Sequence, residues 1–334
     1  MKKAHFIGIC GAGMSAVAKL LSESGWQITG SDEGFYPPIS DYLQQHNLPC
    51  TPNYSANNIP QDANMIVIGK HAKLVPEENE EVKAAFASGI PIKSFPDVLN
   101  DLTADTNNFV VAGSFGKSTC SALAAWALVH SGKDPSYFIG AVPTDLPSNA
   151  HIGRGEIFVL EGDEYPSANW DPSAKFLHYN AHTLLLISAE HDHYNVFPTV
   201  ESYLEPFTEL VLQLPPDGIL VANLDGDNIG RILETTGRRA INYSLTNPQA
   251  EWHADAITRG QTTSFDLTFR GRRITRLTSS LLGDHNIQNM VGVAAWLLSN
   301  EVVSVDELVA ALAEFNGVKR RMELKTHDTS VAVY

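Results

Sequence analysis

Residues 108 to 119 read Asn-Phe-Val-Val-Ala-Gly-Ser-Phe-Gly-Lys-Ser-Thr, an apolar run, a turn bounded by glycines, and a helical stretch opened by Lys117 and Ser118. The run from Phe109 to Ala112 predicts a buried parallel strand, and Ser118 to His130 predicts a helix that stops at Gly132. Gly113 and Gly116 let the backbone approach an anion, and the first N–H groups of the helix point at it. In such a loop Lys117 meets the β- and γ-phosphates and the Ser118 hydroxyl reaches magnesium. Val111 stands where the general phosphate-loop pattern has its first glycine, leaving G-x-x-G-K-S. A chance match to that remainder is expected in roughly one chain of this length in a hundred. The bland alternative is an ordinary strand-turn-helix joint with an exposed lysine.

The chain has 334 residues, of which 43% are hydrophobic, enough to bury a core in each of two or three domains. No stretch reaches the roughly 18 apolar residues of a membrane span. The opening Met-Lys-Lys-Ala-His-Phe-Ile-Gly leads into a strand and glycine turn rather than a cleavable signal, which points to the cytoplasm. Cys10, Cys50 and Cys120 are widely spaced and suggest neither a disulfide framework nor a thiolate metal site. A formal charge of −15 argues against nucleic acid as a partner, because a phosphate backbone needs a basic face. A single nucleotide, held by local lysines, magnesium and helix ends, is compatible with it.

Before the phosphate loop the pattern alternates strand and helix: Phe6 to Cys10, Ala12 to Glu23, Gln27 to Gly30, Asn64 to Ile68, Glu77 to Ser88. That predicts a small α/β unit on a parallel sheet. Its first turn, Gly8-Ile9-Cys10-Gly11-Ala12-Gly13, only approximates the dinucleotide fingerprint. After the loop, apolar strands deliver polar clusters at their ends. Ile157 to Leu160 leads to Glu161-Gly162-Asp163-Glu164, Thr183 to Ile187 to Ser188-Ala189-Glu190-His191-Asp192-His193, and Ile219 to Ala222 to Asn223-Leu224-Asp225. Ligands of open α/β sheets lie at the carboxyl ends of strands, so these termini are expected to share a cleft with the loop. Carboxylates beside a triphosphate suit magnesium, an oxygen-seeking cation. The His191-x-His193 pair lacks a Cys or third His for zinc. Phe265 to Phe269, Arg270-Gly271-Arg272 and Ile274 to Leu277 predict an appended β-hairpin. Asn286 and Asn289 fall on one face of a helix opening at Gly283, where amides can read an adenine edge or simply cap and face solvent.

The ordered set resembles the Mur ligase superfamily, ATP-dependent amide-forming enzymes of peptidoglycan synthesis. The resemblance rests on Gly8-Ile9-Cys10-Gly11, Gly30-Ser31-Asp32, Gly113 to Thr119, Glu161-Gly162-Asp163-Glu164, Asp192-His193, Asn223-Leu224-Asp225, Gly283-Asp284-His285-Asn286 with Asn289, and Arg320-Arg321. Tyr36-Pro37-Pro38, Asp163-Glu164-Tyr165 and Ala174 to Tyr179 are most similar to the murein peptide ligase branch, which joins UDP-N-acetylmuramate to L-alanyl-γ-D-glutamyl-meso-diaminopimelate. The resemblance implies a Rossmann-like parallel-sheet domain at 1–102 for the UDP-sugar and a P-loop-type α/β ATPase domain at 103–322 with the appended hairpin. It further implies that 323–334 begin a third domain, for the incoming amine, that is otherwise absent, so that the chain alone is inactive.

Carried over residue by residue, Gly113, Ser114, Phe115, Gly116, Lys117, Ser118 and Thr119 hold the triphosphate, His285, Asn286 and Asn289 surround adenine, and Arg321 approaches the phosphates. Ser118, Glu161 and His193 are the implied Mg²⁺ ligands, and Lys117, Glu161 and His193 the catalytic set. Gly11, Ala12, Gly13, Met14, Ser31, Asp32, Lys70 and His71 are the implied UDP-sugar contacts. Ser114, Phe115 and Ser188 replace the family's usual Thr, His and Asn. The implied reaction passes the γ-phosphoryl of ATP to the lactyl carboxylate, and the amine attacks the acyl phosphate. A ligase that adds free L-alanine, a non-catalytic UDP-sugar or nucleotide binder, and a nicotinamide oxidoreductase are the alternatives.

Overall fold

The computed structural model describes residues 1–319; Arg320, Arg321 and the stretch 323–334 lie outside the described residues. The chain forms two compact units. One holds Met1–Thr106 together with Ala150–Ile152 and Glu164–Asn180; the other holds Asn107–Asn149, Gly153–Asp163 and the described chain after Asn180.

In the first unit β1 (Lys3–Ile7), β2 (Gln27–Asp32), β3 (Cys50–Pro52), β4 (Met65–Ile68) and β5 (Ile92–Lys93) form a sheet ordered β3-β2-β1-β4-β5. Every pairing is parallel. All four side chains of β4, Met-Ile-Val-Ile, are buried, as a strand covered on both faces requires. The helices are α1 (Ala12–Glu23), α2 (Ile39–Gln45), α3 (Glu80–Ala87) and α4 (Phe95–Leu102). The strand order reverses between β1 and β4, the switch point at which such sheets open a crevice. The first strand ends at Ile7 rather than Cys10, because Gly8 turns the chain with φ 84°. A side chain at Gly8 would also stand 2.7 Å from Leu74 Cδ1.

The second unit contains β6 (Asn107–Ala112), α5 (Lys117–His130) and β7 (Ser136–Phe138). After β8 (Ala150–His151), which groups with the first unit, come β9 (Ile157–Gly162), β10 (Thr183–Leu186), α6 (Val200–Gln213), β11 (Ile219–Asn223), α7 (Ile229–Thr236) and β12 (Ile241–Ser244). The described chain ends with β13 (Trp252–Arg259), β14 (Thr263–Phe269), β15 (Arg272–Ser279), α8 (Asp284–Ser299) and α9 (Val305–Glu314). The sheet runs β15-β14-β13-β12-β11-β10-β6-β9-β7. It is parallel from β7 to β13 and antiparallel across β13, β14 and β15. The expected hairpin is therefore β14–β15, and β13 joins it to the parallel sheet. Phe109 of β6 stacks on Trp296 of α8, centroids 3.5 Å apart and planes 4° off parallel. That contact anchors the strand that leads into the Gly113–Gly116 loop. The α/β class, the parallel Rossmann-like sheet and the loop-bearing second sheet are as the sequence predicts.

Candidate active site

Gly113-Ser114-Phe115-Gly116 connects the carboxyl end of β6 to the start of α5. The two glycines are required by space as well as by angle. Gly113 has φ 150° and a Cβ there would lie 2.9 Å from the backbone N and O of Ser188; Gly116 has φ 83° and a Cβ would lie 2.6 Å from Asn289 Oδ1. No side chain caps α5, so its first amides are left to the loop. This is an anion cradle of the kind a helix start provides.

Glu161, inside β9, supplies the facing carboxylate. Ser118 Oγ donates to its Oε1 at 2.9 Å and the Gly140 amide to its Oε2 at 2.7 Å. Burial pushes the carboxyl above its usual range, against the lowering effect of those two bonds and of the Lys117 charge. A half-buried carboxylate of this kind gains from a cation beside it. The Gly140 contact had no sequence signal; it follows from the parallel register that sets Phe138 of β7 beside Leu160 of β9.

Beside the loop lies a cavity of about 620 Å³ whose wall includes Phe115, Gly116, Thr119, His285, Asn286 and Asn289. Two of the three strand ends expected there line it, through Ser188 and Glu190 after β10 and Asn223 and Asp225 of β11 and its turn, whereas Glu161 to Glu164 at the end of β9 are not on its wall. Asn286 and Asn289 are 6% and 3% exposed, so they are not surface polar residues. Asn289 Nδ2 donates to Asn286 Oδ1 at 3.3 Å, and Asn286 Nδ2 to the Leu282 carbonyl at 2.8 Å. Burial alone would raise Asp225; bonds from Ser244, Thr246 and the Leu245 amide outweigh it and hold the carboxyl low. Gln288 also reaches Asp225, at 3.3 Å, a contact the sequence did not suggest. Ser188 Oγ is buried with no hydrogen-bond partner among the described residues, an orphan on the cavity wall.

His193 adopts φ 58° and its carbonyl accepts from the amides of Val196 and Phe197, at 2.8 and 3.0 Å. Its ring lies 3.7 Å from Asp192. No group of three or more His, Cys, Asp or Glu gathers in metal-holding fashion among the described residues. The oxygens of Ser118 and Glu161 stand together and could hold magnesium, a cation that needs few protein ligands and keeps its waters and phosphates.

The first unit has its own cavity, about 1090 Å³, at the carboxyl ends of β1, β2 and β4. Gly11, Gly13, Met14, Asp32, Lys70 and His71 line it. Ala12 starts α1 and is not on its wall. Ser31 does not reach it either: the residue is fully buried, and its hydroxyl donates to Glu81 Oε1 at 2.8 Å. Asp32 braces the turn, its carboxylate accepting from the Cys10 amide at 2.8 Å and the Tyr54 hydroxyl at 3.3 Å. Tyr165, Asn169 and Lys175 of the inserted segment also line the cavity, with Lys175 Nζ 5.3 Å from the Phe95 ring centre.

Two family models match, the Mur ligase family catalytic domain over residues 3–107 and the Mur ligase middle domain over residues 111–297. The chain belongs to the Mur ligase family. Mur ligases are ATP-dependent enzymes that form amide bonds, and the loop, Glu161 and the asparagine pair all fall within the matched middle domain. This Mur ligase is 30% identical to the UDP-N-acetylmuramate–L-alanyl-γ-D-glutamyl-meso-2,6-diaminoheptandioate ligase of Escherichia coli K12, over 99% of the chain and 71% of the relative. It is 29% identical to the UDP-N-acetylmuramate–L-alanine ligase of Chlorobium luteolum, over 98% of the chain and 67% of the relative. The crystal structure of the UDP-N-acetylmuramate:L-alanyl-γ-D-glutamyl-meso-diaminopimelate ligase of Neisseria meningitides superposes with a TM-score of 0.85 at 29% identity, covering 96% of this chain and 100% of that one. Among the described residues no helix is long and apolar enough to cross a membrane.

Proposed function

We propose that this chain activates the lactyl carboxylate of UDP-N-acetylmuramate with Mg-ATP for amide formation with L-alanyl-γ-D-glutamyl-meso-diaminopimelate. One observation carries the reading. Phe115 and Gly116 of the glycine loop share one cavity wall with the Asn286–Asn289 pair, and the helix that the loop opens carries Ser118 bonded to Glu161, so phosphate-binding and base-reading groups are supplied together in the second unit. The half-buried Glu161 carboxylate and the orphaned Ser188 hydroxyl favour a polar, cation-bearing ligand there.

In this reading the α5 amides and Lys117 hold the phosphates, Asn286 and Asn289 orient the adenine, and Ser118 and Glu161 hold Mg²⁺. When bound, magnesium neutralises phosphate charge and acts as a Lewis acid. Carboxylate and γ-phosphate repel each other until cationic groups lie between them, so the protein's contribution is positioning and charge. The carboxylate oxygen bonds to the γ-phosphorus as ADP departs. The peptide amine then attacks the acyl carbon, loses a proton, and expels phosphate. In the first unit, Gly11, Gly13, Met14, Asp32, Lys70 and His71 hold the UDP-sugar.

The comparable similarity to an L-alanine-adding relative favours a second reading, with free L-alanine as acceptor. ADP release decides between them: release that requires UDP-N-acetylmuramate and the tripeptide supports the first, and release with L-alanine in preference to the tripeptide moves the assignment to the second.

A further inference from the structure

The phosphate loop is tied to its surroundings by its one hydroxyl. The Ser114 amide donates to the Ser188 carbonyl at 3.1 Å, and Ser114 Oγ donates to the Glu190 carbonyl at 2.7 Å. A carbonyl only accepts, so the single Ser114 proton is committed to Glu190. Ser114 Oγ also lies 2.9 Å from the Tyr203 hydroxyl, and in that contact Ser114 must accept and Tyr203 must donate. Tyr203 is fully buried within α6, its ring edge-on to Phe197 with centroids 5.3 Å apart. The adjoining Phe207 and His191 rings, at 5.3 and 5.7 Å, complete its setting. The tyrosine therefore has little rotational freedom, and its hydroxyl is delivered to one place.

We propose that Tyr203 is a positioning residue for nucleotide binding, holding the Gly113–Gly116 loop through Ser114 in the shape the phosphates require. The inference rests on the second unit being the ATP site. Without the tyrosine proton Ser114 keeps its bonds to the Glu190 and Ser188 carbonyls but loses the third tie, and more of the loop's order must come from the nucleotide itself. Ordering on binding lowers affinity, whereas a loop ordered beforehand does not. Ser114 and Tyr203 should accordingly act as one device and show non-additive effects.

The test uses Tyr203→Phe, Ser114→Ala and the double variant, with Mg-ATP affinity by calorimetry and hydrogen exchange of the nucleotide-free protein. Tyr203→Phe should weaken Mg-ATP roughly three- to ten-fold, the range of one neutral hydrogen bond. The double variant should be no weaker than Ser114→Ala. In Tyr203→Phe the amides of residues 114–119 should exchange faster while those of β6 and α8 stay protected, a change that general loss of stability would not confine to the loop. Unchanged loop exchange, or native affinity in Tyr203→Phe, overturns the positioning role. A native protein that binds no Mg-ATP overturns the nucleotide reading itself and the role with it.

Discussion

Lys117 and Gly116 separate the two things a phosphate loop needs, charge and room. Removing the Lys117 ammonium takes a charge-assisted partner from a phosphate, worth about 1.5–3 kcal/mol. Lys117→Ala should therefore weaken Mg-ATP by roughly ten- to a hundred-fold in calorimetry while leaving the urea midpoint near native; an unchanged affinity would remove Lys117 from the site. Gly116→Ala should do the reverse first. Its φ of 83° and the 2.6 Å approach to the buried Asn289 predict destabilisation of about 1–3 kcal/mol, measured by urea unfolding without nucleotide. At this scale the sequence was a good guide to residues whose role is local. Lys117 opens α5 beside Gly116 as the motif requires. It was blind to partners set by register or distance, such as the Gly140 amide on Glu161, and to Ser31, whose hydroxyl is spent on Glu81 from α3.

The elements that carry the sites were legible because each is a buried apolar run that gives way to glycine or polar residues. β6, β10 and β11 were expected at 109–112, 183–187 and 219–222 and are found at Asn107–Ala112, Thr183–Leu186 and Ile219–Asn223. The segment Glu164–Asn180 has no such pattern, and its grouping with the first unit depends on long-range contacts. One of these is titratable: His178 meets Asp97 of α4 at 3.0 Å and Asp171 at 3.2 Å. The Asp97 bond holds the imidazole above its ordinary value, so its contribution is full below about pH 6.5 and is lost as pH rises through the raised value. Burial alone would raise Asp97, but His178 and Ser94 hold it at about 2, so its contribution is full above the ordinary aspartate range and is lost as pH falls towards 2. Amides of residues 175–179 should exchange more slowly at pH 5.5 than at pH 8.5 once intrinsic rates are removed, and His178→Gln should abolish the difference. Equal pH dependence in the variant would show that this pair does not pin the segment.

Taken as a whole, the molecule repeats one physical arrangement in two units: a parallel sheet, a glycine turn at the carboxyl ends of its strands, and an uncapped helix start behind it. The turns differ in what surrounds them. The first has Asp32, Lys70 and His71 around its cavity, while the second has Lys117 and Ser118 at its helix start, Glu161 bonded to Ser118, and a cavity walled by Asn286 and Asn289. The central claim is that the second is a magnesium-dependent ATP site and the first is not a nicotinamide site. Calorimetric titration of the protein with ATP, with and without Mg²⁺, and with NAD tests this most directly. The account predicts saturable ATP binding that strengthens with Mg²⁺ and no NAD binding; NAD binding without ATP binding would contradict it.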